Sequence, residues 1–419
     1  MNAEILNVGT EILLGDIVNT NAAYISRELA ACGVGCYYQS VVGDNAGRLS
    51  DSLKLALSRA DMVITTGGLG PTYDDLTKET VAACFDLEME LHQPSLDRMM
   101  AFFSRFGRTF TKNNEKQAYM PRGAVVFEND RGTAPGLAVE KDGKTVIMLP
   151  GPPGEMTAMF ELQVKPYLEA RASHVLRSQT IHIFGLGESA VEDVLHDSML
   201  KHTNPTIAPY AKTGEVELRV TASAPDRAAA EALIEPVVSE IVALFPDQVY
   251  GVDAGDMQTA LIHALTKAGL TIAVAESCTG GMIASRLTEV PGASAALLCG
   301  VCSYSNQSKI DFLGVSPATL EAYGAVSQET ALEMARGVRL RSGADVGLAT
   351  TGIAGPDGGT AEKPVGLVYT AISTSATEKA LELRLSRGYG GERQLIRSLA
   401  CLHAMNLVLR ETGILSYEE

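Results

Sequence analysis

The sequence predicts an α/β fold with two doubly wound, layered α/β domains that are joined by a small α+β module. Two observations indicate the layered domains: short apolar strands alternate with helical segments in the first 170 residues, and the alternation returns near residue 253. A third indicates the module, because the chain between them has longer strands, a hairpin turn at Lys212 to Gly214 and an Ala-rich helix from Asp226. The predicted domains are residues 1–170, 171–252 and 253–419.

The order of strands and helices indicates where ligands bind. Alternation of this kind predicts a parallel sheet that is covered by helices. Ligands of such sheets bind beyond the carboxyl ends of the strands, so the loops after the strands are the candidate sites. The predicted strands are AEILNVG, GCYYQSVVG, MVITT and VIMLP in the first domain, and TIAVAE, LLCGVCSYS, DVGLATT and VGLVYTAI in the third.

Composition limits the partners and the location of the chain. The net charge is −16, so attraction to a nucleic-acid backbone is weak and we expect no nucleic-acid partner. The apolar runs are far shorter than the roughly 20 residues that cross a bilayer, and the start MNAEILNVGTE has no basic segment before a long apolar one. We therefore expect a cytoplasmic protein without a membrane partner.

The seven cysteines predict free thiols rather than disulfides. They are scattered and odd in number, which favours buried thiols in a reducing compartment over a disulfide framework. Cys299 and Cys302 lie inside an apolar segment, which indicates core positions rather than zinc ligands.

The stretch ITTGGLGPTYDDLTKE has the composition of a phosphate-binding loop. Its glycines follow a buried strand and let backbone N–H groups approach a phosphate, and the next helix adds donors and a positive partial charge. Asp74 and Asp75 either hold a divalent cation that bridges a pyrophosphate or cap the helix that begins near Leu76. From this stretch alone, capping is the expected role of at least one of them.

The stretch LPGPPGEM also follows a buried strand. It presents free backbone N–H groups before a helix, although a rigid proline turn that starts that helix would have the same sequence. Two phosphate-compatible loops in one parallel sheet favour a nucleotide or phosphate ligand.

The stretch AVAESCTGGMIASRL of the third domain runs a strand through a glycine turn into a helix. Such a turn exposes a side chain near helix N–H groups that can stabilise an oxyanion, and Ser277 or Cys278 would be the nucleophile. Neither His263 nor His403 is placed to serve as its base. Lys309, which follows the next strand, is the candidate base if burial lowers its pKa.

Two further loops of the third domain are expected at the same sheet edge. The loop ATTGIAGPDGGT offers threonines and glycines to a phosphate or an oxyanion, and Arg393 before the last helix can clamp a phosphate bidentately. A turn and a surface cation are the alternative interpretations.

The long motifs of the first domain resemble the CinA family (competence/damage-inducible protein). They are VGTEILLGDIVNTN, VVGDN, ITTGGLGPTYDDLTKE and LPGPPGEM, with Gly154 standing where the family has serine. The family's first domain is similar to molybdopterin-binding domains, and the resemblance implies hydrolysis of ADP-ribose to AMP and ribose 5-phosphate with a divalent metal, Co²⁺ or Mg²⁺, and possibly K⁺. It implies metal ligands Asp44, Asp74 and Asp75, and ligand-binding residues Asn21, Gly67, Gly68, Gly70, Thr77, Gly151 and Pro152.

The third domain resembles the nicotinamide-nucleotide amidohydrolase domain that ends CinA proteins. The motifs are AESCTGG, PGAS, SYSN, TTGIAGPDGG and EKPVG. The resemblance implies deamidation of nicotinamide mononucleotide without a cofactor, in which Ser277 attacks the amide and Lys309 takes its proton, and it implies a homodimer. The implied catalytic residues are Ser277, Lys309, Tyr304 and Thr351, and the implied substrate-binding residues are Ser294, Arg393, Gly280, Gly281, Gly352 and Gly355.

Three alternatives remain open at this point. The first domain could bind a nucleotide or pterin, or dimerise, without turnover. Cys278 could be the nucleophile in place of Ser277. A role with DNA, which the family name suggests, has no support from a basic patch.

Overall fold

A computed structural model describes residues 1–107, 109–171, 175–388 and 390–415. Contacts divide the chain into two compact units, residues 1–177 with 222–232, and residues 178–221 with the chain from 233 onward. The predicted α/β class is confirmed, whereas the division into three domains stays a prediction.

The first unit contains a six-stranded sheet of order β2-β1-β3-β8-β7-β6. Strands β2, β1, β3 and β8 are parallel, while β7 and β6 are antiparallel to their neighbours. The strands are β1 (Asn2–Val8), β2 (Gly35–Val42), β3 (Met62–Thr66), β4 (Met89–Leu91), β5 (Tyr119–Pro121), β6 (Val125–Phe127), β7 (Gly136–Lys141) and β8 (Lys144–Leu149). The helices are α1 (Thr10–Leu14), α2 (Thr20–Ala31), α3 (Ala46–Arg59), α4 (Thr77–Cys84), α5 (Gln93–Arg105), α6 (Pro153–Met159) and α7 (Lys165–Glu169), with a 3-10 segment Lys112–Ala118 and a π-helical turn Phe160–Val164.

Both faces of this sheet are buried under helices. Ile5 and Ile64 pack into one apolar cluster and their chain neighbours Leu6 and Val63 into another, because successive side chains of a strand point to opposite faces. The sheet is therefore doubly wound, as predicted.

The four strands predicted for this sheet are parallel, whereas the antiparallel strands β6 and β7 were not predicted. Lys141 pairs with Lys144 across Asp142 and Gly143, which both have positive φ. A two-residue Asp-Gly turn joins antiparallel strands. The sequence KDGK carried this signal.

The middle segment forms a four-stranded sheet of order β10-β11-β9-β12. The predicted hairpin turn is confirmed, since Lys212 pairs with Glu215 and Gly214 has a φ of +81°. The elements are β9 (Val175–Phe184), α8 (Glu188–Lys201), β10 (Thr206–Lys212), β11 (Glu215–Ala224), α9 (Arg227–Leu244) and β12 (Val249–Val252).

The last segment forms a five-stranded sheet of order β14-β13-β15-β16-β17, in which β14, β13 and β15 are parallel and β16 and β17 follow as antiparallel strands. Ile272 and Ala273 belong to different apolar clusters, so helices cover both faces. The strands are β13 (Ile272–Glu276), β14 (Leu297–Cys302), β15 (Val346–Gly352), β16 (Leu367–Ser373) and β17 (Glu378–Arg384). The helices are α10 (Met257–Ala268), α11 (Met282–Thr288), α12 (Asn306–Leu313), α13 (Pro317–Tyr323), α14 (Gln328–Ser342) and α15 (Arg393–Thr412), with a 3-10 turn Ala293–Ala295.

The core positions predicted for Cys299 and Cys302 are wrong in part. Cys299 is half-buried and Cys302 is exposed. Both lie on β14, an edge strand of the sheet. Residues three apart in a strand point to opposite faces, so the two thiols do not face each other.

No helix in the described part of the chain combines the length and the apolar character that a bilayer crossing requires.

Candidate functional site

Ser277 lies in a tight turn at the carboxyl end of β13. Its backbone N–H donates to Thr350 O at 2.9 Å, which ties the turn to β15. Gly280 and Gly281 follow with φ of +61° and +88°, a region that favours glycine, and α11 begins at the next residue. The Ser277 side chain is 9% exposed, so the hydroxyl lies in a nearly dry setting.

Lys309 reaches Ser277 from the neighbouring strand. Its Nζ donates to Ser277 Oγ at 3.0 Å and to Ser303 O at 2.8 Å. The side chain is 1% exposed, and burial lowers the pKa of the Lys309 ammonium from its ordinary value of 10.5. The approach follows from the parallel register, in which Glu276 lies opposite Cys302 and the two following loops meet.

Glu276 holds the turn from inside the protein, a role that no sequence pattern predicted. Its carboxylate is 1% exposed and accepts hydrogen bonds from Ile283 N at 3.0 Å and Ala284 N at 2.9 Å. These are N–H groups of the first turn of α11, where a carboxylate is favoured by the helix dipole. Glu276 thus fixes the helix relative to Ser277.

We expect Glu276→Ala to lower the free energy of unfolding by about 2–4 kcal/mol, because two buried N–H groups lose a charged acceptor. Glu329→Ala is the matched control, since Glu329 is an exposed carboxylate in the first turn of α14. The control should cost less than about 1 kcal/mol. Urea unfolding measures both, and equal losses would contradict a special role of Glu276.

Three residues that follow other strands of this sheet, Tyr304, Gly355 and Arg393, are linked by hydrogen bonds and form an exposed rim. Arg393 Nη1 donates to Gly355 O at 2.6 Å, and its Nη2 donates to Tyr304 Oη at 3.1 Å. Tyr304 is 63% exposed and Arg393 is also exposed. Arg393 is the first residue of α15, so its guanidinium group and the backbone N–H groups of the helix N-terminus belong to the same region of the chain. Such an arrangement suits a phosphate.

Thr351 and Ser294 lie differently from each other. Thr351 is 1% exposed and its hydroxyl donates to Ala325 O at 2.6 Å, so it fixes the neighbouring loop. Ser294 is exposed and precedes β14, whereas Tyr304 follows it. A six-residue strand spans about 20 Å. Ser294 and Ser277 therefore lie at opposite ends of parallel neighbouring strands. The substrate-binding role of Ser294 stays a prediction.

The alternative nucleophile, Cys278, packs into the core. It is 6% exposed within an apolar cluster that includes Val368 and Ile396, and burial raises the pKa of its thiol to about 12. His403, which was not expected to serve as a base, packs edge-on against Phe184 with ring centroids 4.8 Å apart.

The second candidate site is a cavity of about 470 Å³ in the first unit. It lies where the loops after β1, β3 and β8 meet, at the carboxyl ends of these parallel strands. Its lining includes nine of the ten residues predicted for this domain, namely Asn21, Asp44, Gly67, Gly68, Gly70, Asp74, Asp75, Gly151 and Pro152.

The tenth predicted residue, Thr77, requires a correction. It is fully buried, and its hydroxyl donates to Gly67 O at 2.9 Å from behind the loop. A Cβ added at Gly68 would lie 2.2 Å from the Thr77 hydroxyl, so the loop packs closely on it. Thr77 thus positions the glycine loop and does not line the cavity.

The aspartates of the cavity are engaged by threonines. Asp44 Oδ2 accepts from both N and Oγ1 of Thr10 at 2.9 Å, and Asp75 Oδ2 accepts from N and Oγ1 of Thr72 at 2.9 and 2.6 Å. The Thr72 hydroxyl also contacts Asp74 and lowers the pKa of that carboxyl. The predicted capping role was wrong, since α4 begins without a side-chain cap.

The aspartates of the cavity fit a divalent metal only if a bound ligand supplies further oxygen atoms. Within the described ranges, no three His, Cys, Asp or Glu side chains gather as a complete metal site. Mg²⁺ is typically held by one or two carboxylates plus substrate phosphate oxygens, and Asp74 and Asp75 offer such a pair beside the glycine loop.

Comparisons with known proteins cover almost the whole chain. Family models match residues 4–170 (probable molybdopterin binding domain), 178–251 (damage-inducible protein CinA KH domain) and 255–412 (CinA C-terminal domain). A putative competence-damage inducible protein of Acetivibrio thermocellus is 50% identical over 410 residues, which are 98% of each chain. The chain belongs to the CinA family. A relative with the same name from Clostridium kluyveri is 50% identical over 412 residues, 98% of this chain and all of that one.

Solved structures of CinA proteins match part of the chain. Competence/damage inducible protein CihA from Agrobacterium tumefaciens is 42% identical and covers 37% of this chain and 93% of its own, with a TM-score of 0.36. Protein CinA with unknown function from Thermoplasma acidophilum is 37% identical, and the match covers 39% of this chain and 96% of that one, with a TM-score of 0.37.

Arg397, which lies outside the quoted CinA motifs, also helps to shape the Ser277 site. Arg397 donates to Thr279 O at 2.7 Å, and the hydroxyls of Thr279 and Thr350 lie 2.7 Å apart. These two contacts of Thr279 secure the Ser277 turn. Arg397 lies one helical turn after Arg393, a spacing that marks it as facing the same way.

Proposed function

We propose that this chain is a bifunctional nucleotide hydrolase. Its C-terminal segment deamidates nicotinamide mononucleotide to nicotinate mononucleotide, and its N-terminal segment hydrolyses ADP-ribose to AMP and ribose 5-phosphate. The amidase proposal rests on one observation, the 3.0 Å contact between the buried amine of Lys309 and the hydroxyl of Ser277.

The first amidase step is attack on the carboxamide carbon. Neutral Lys309 accepts the proton of Ser277 as Oγ bonds to that carbon, and the carbonyl oxygen gains the negative charge. Free backbone N–H groups of the turn that follows Ser277 would stabilise such an oxyanion. Lys309 then gives the proton to the departing nitrogen, which leaves as ammonia.

The second step releases the product. Water attacks the acyl-Ser277 ester with Lys309 as base, and the serine is regenerated with nicotinate mononucleotide. Arg393 and Tyr304, which contact each other at the exposed rim, would bind the nucleotide phosphate. The nearly dry hydroxyl and the exposed cation suit a ligand with an uncharged amide at one end and a phosphate at the other.

The test is ammonia release from nicotinamide mononucleotide by the full chain and by two neighbouring variants. We expect Ser277→Ala to lower the rate by at least about 10³-fold, because it removes the nucleophile. Cys278→Ala, the matched control, should retain most of the rate because its buried thiol packs against apolar side chains. The reverse pattern would support a thiol enzyme, and the retention of activity in both would reject both nucleophiles.

The N-terminal proposal is supported by the cavity that the two glycine loops and three aspartates line. Backbone N–H groups of the loops would bind the pyrophosphate, and Asp74 and Asp75 would hold a divalent cation, Mg²⁺ or Co²⁺, which would neutralise phosphate charge when bound. The test is AMP release from ADP-ribose with either metal, with added K⁺, and with a chelator.

A second candidate function is a binding module without turnover. The threonine contacts of Asp44 and Asp75 favour it, since loop closure alone accounts for both carboxylates. Calorimetry separates the two functions: binding of ADP-ribose without AMP release would identify a module, and metal-dependent AMP release would identify a hydrolase.

We also propose a cytoplasmic homodimer that binds small nucleotides only. The cysteines of the described ranges are all free thiols, which is typical of a reducing compartment. Sedimentation velocity and cell fractionation test the assembly and the location.

A further inference from the structure

One buried amide of the N-terminal cavity belongs to no motif that the sequence analysis identified. Gln117 lies in the 3-10 segment Lys112–Ala118, is 2% exposed and lines the cavity beside the glycine loop. Its Nε2 donates to Leu69 O at 3.3 Å, which orients the amide. Its Oε1 is buried and has no hydrogen-bond partner within the described ranges.

The segment that carries Gln117 is fixed to the glycine loop. Lys78 is buried, and its ammonium donates to the carbonyl oxygens of Lys116, Gln117 and Tyr119, each at 2.9 Å. Lys116 in turn donates to Thr72 O at 2.9 Å. These contacts fix the backbone of the segment and keep Gln117 at the cavity, where an unpaired buried acceptor is costly.

A second buried acceptor, in α2, lies beside the proline loop after β8. Asn21 lines the same cavity at 8% exposure, and its Nδ2 donates to Gly151 O at 2.7 Å. Its Oδ1 is also buried without a partner in the described part of the chain. A carbonyl oxygen of each phosphate-compatible loop thus accepts from one side-chain amide, and the oxygen of each amide is unused.

We propose that Gln117 Oε1 accepts a hydrogen bond from a ribose hydroxyl of the ligand, so that the cavity has a ribose subsite next to its phosphate-binding loop. The inference rests on the proposed function of the first unit, because it takes the ligand to be a ribosyl phosphate. Ionised phosphate oxygens are acceptors only and cannot pair with an amide oxygen, whereas sugar hydroxyls donate.

The position of Gln117 selects the sugar over the base. Its anchor, Leu69, lies between Gly68 and Gly70 of the phosphate-binding loop. In a ribosyl phosphate the sugar is bonded directly to the phosphate, and the base lies farther away. A site with a buried acceptor rejects ligands that lack the matching hydroxyl, because the acceptor is then left unpaired.

The experiment is calorimetric binding to the full chain, which requires no turnover. The probes are AMP with its 2′-deoxy and 3′-deoxy forms, and ribose 5-phosphate with its 2-deoxy and 3-deoxy forms. We expect the wild type to prefer a hydroxylated ligand over one of its deoxy forms by about tenfold. Gln117→Met should abolish that preference while the affinity for the deoxy form stays the same.

The control is Gln163→Met, since Gln163 exchanges two amide hydrogen bonds of 2.7 Å with the Glu128 backbone and does not line this cavity. It should keep the preference. The proposal is overturned if the wild type binds all probes equally or binds none of them. It is also overturned if Gln117→Met lowers the affinity for hydroxylated and deoxy ligands alike, which is the result expected of a purely structural or cation-binding role. Absence of AMP release with the preference intact would instead reject only the hydrolase.

Discussion

Lys309→Met is expected to reduce ammonia release from nicotinamide mononucleotide by about 10³-fold without lowering thermal stability. A positioned general base contributes about 10²–10⁴-fold. Methionine fills nearly the same volume but cannot accept the proton of Ser277, which lies 3.0 Å from the lysine amine. The loss should appear in kcat, because the amine contacts the nucleophile and not the rim that would bind the phosphate.

The stability part of this prediction follows from the pKa. Burial lowers the pKa of Lys309 from 10.5, so the unfolded chain binds the proton more tightly than the folded chain. The contribution of this lysine to stability is present above pH 10.5 and is lost as pH falls through the folded-state pKa. At neutral pH, folding must therefore bury a lysine that is protonated in the unfolded chain, which lowers stability. Lys309→Met removes this unfavourable contribution, so the melting temperature should stay the same or rise.

The same pKa predicts the pH dependence of the wild type. Only the neutral amine can act as base, so the rate should increase with pH through one ionisation below 10.5. Lys379→Met, which removes an ion-paired lysine of the surface, is the control and should change neither the rate nor its pH profile. Full activity of Lys309→Met would contradict the mechanism, whatever its stability.

The parallel order of strands explains why so much of both sites was predictable. Ser277 and Lys309 are 32 residues apart, yet each follows a strand, and β13 and β14 are parallel neighbours. Alternating strands and helices fix which strand ends share an edge. The glycine loop after β3 and the proline loop after β8 meet for the same reason.

Side-chain contacts within these edges were less predictable. Glu276 points back into the helix that follows it, and Thr77 binds its own loop from behind, so a local sequence does not tell which polar residue faces a ligand. Gln117 reaches the cavity through a 3-10 segment that lies 48 residues from Leu69. Such tertiary contacts have no periodic signal. The antiparallel β16 and β17 likewise have no marker comparable to the KDGK turn.

Asp74→Asn and Asp75→Asn are expected to lower metal-dependent AMP release from ADP-ribose by at least about 100-fold. Asparagine keeps an oxygen that can accept from Thr72, whose N–H and hydroxyl bind Asp75 at 2.9 and 2.6 Å. The substitution therefore preserves loop closure and removes the negative charge that a divalent cation requires. AMP formation is measured over a range of Mg²⁺ and Co²⁺ concentrations, where a lost ligand should raise the metal concentration for half-maximal rate.

Asp345→Asn is the matched control, because Asp345 accepts from the N–H and the hydroxyl of Thr271 at 2.8 and 2.6 Å and is not among the residues that line the cavity. Since this arrangement serves a purely structural purpose there, the control should leave AMP release unchanged. If Asp75→Asn behaves like the control, its carboxylate only closes the loop, and Asp74 alone would have to supply the charge. If all three variants retain activity, the phosphate charge is neutralised by the backbone N–H groups of the glycine loop, and the metal proposal fails.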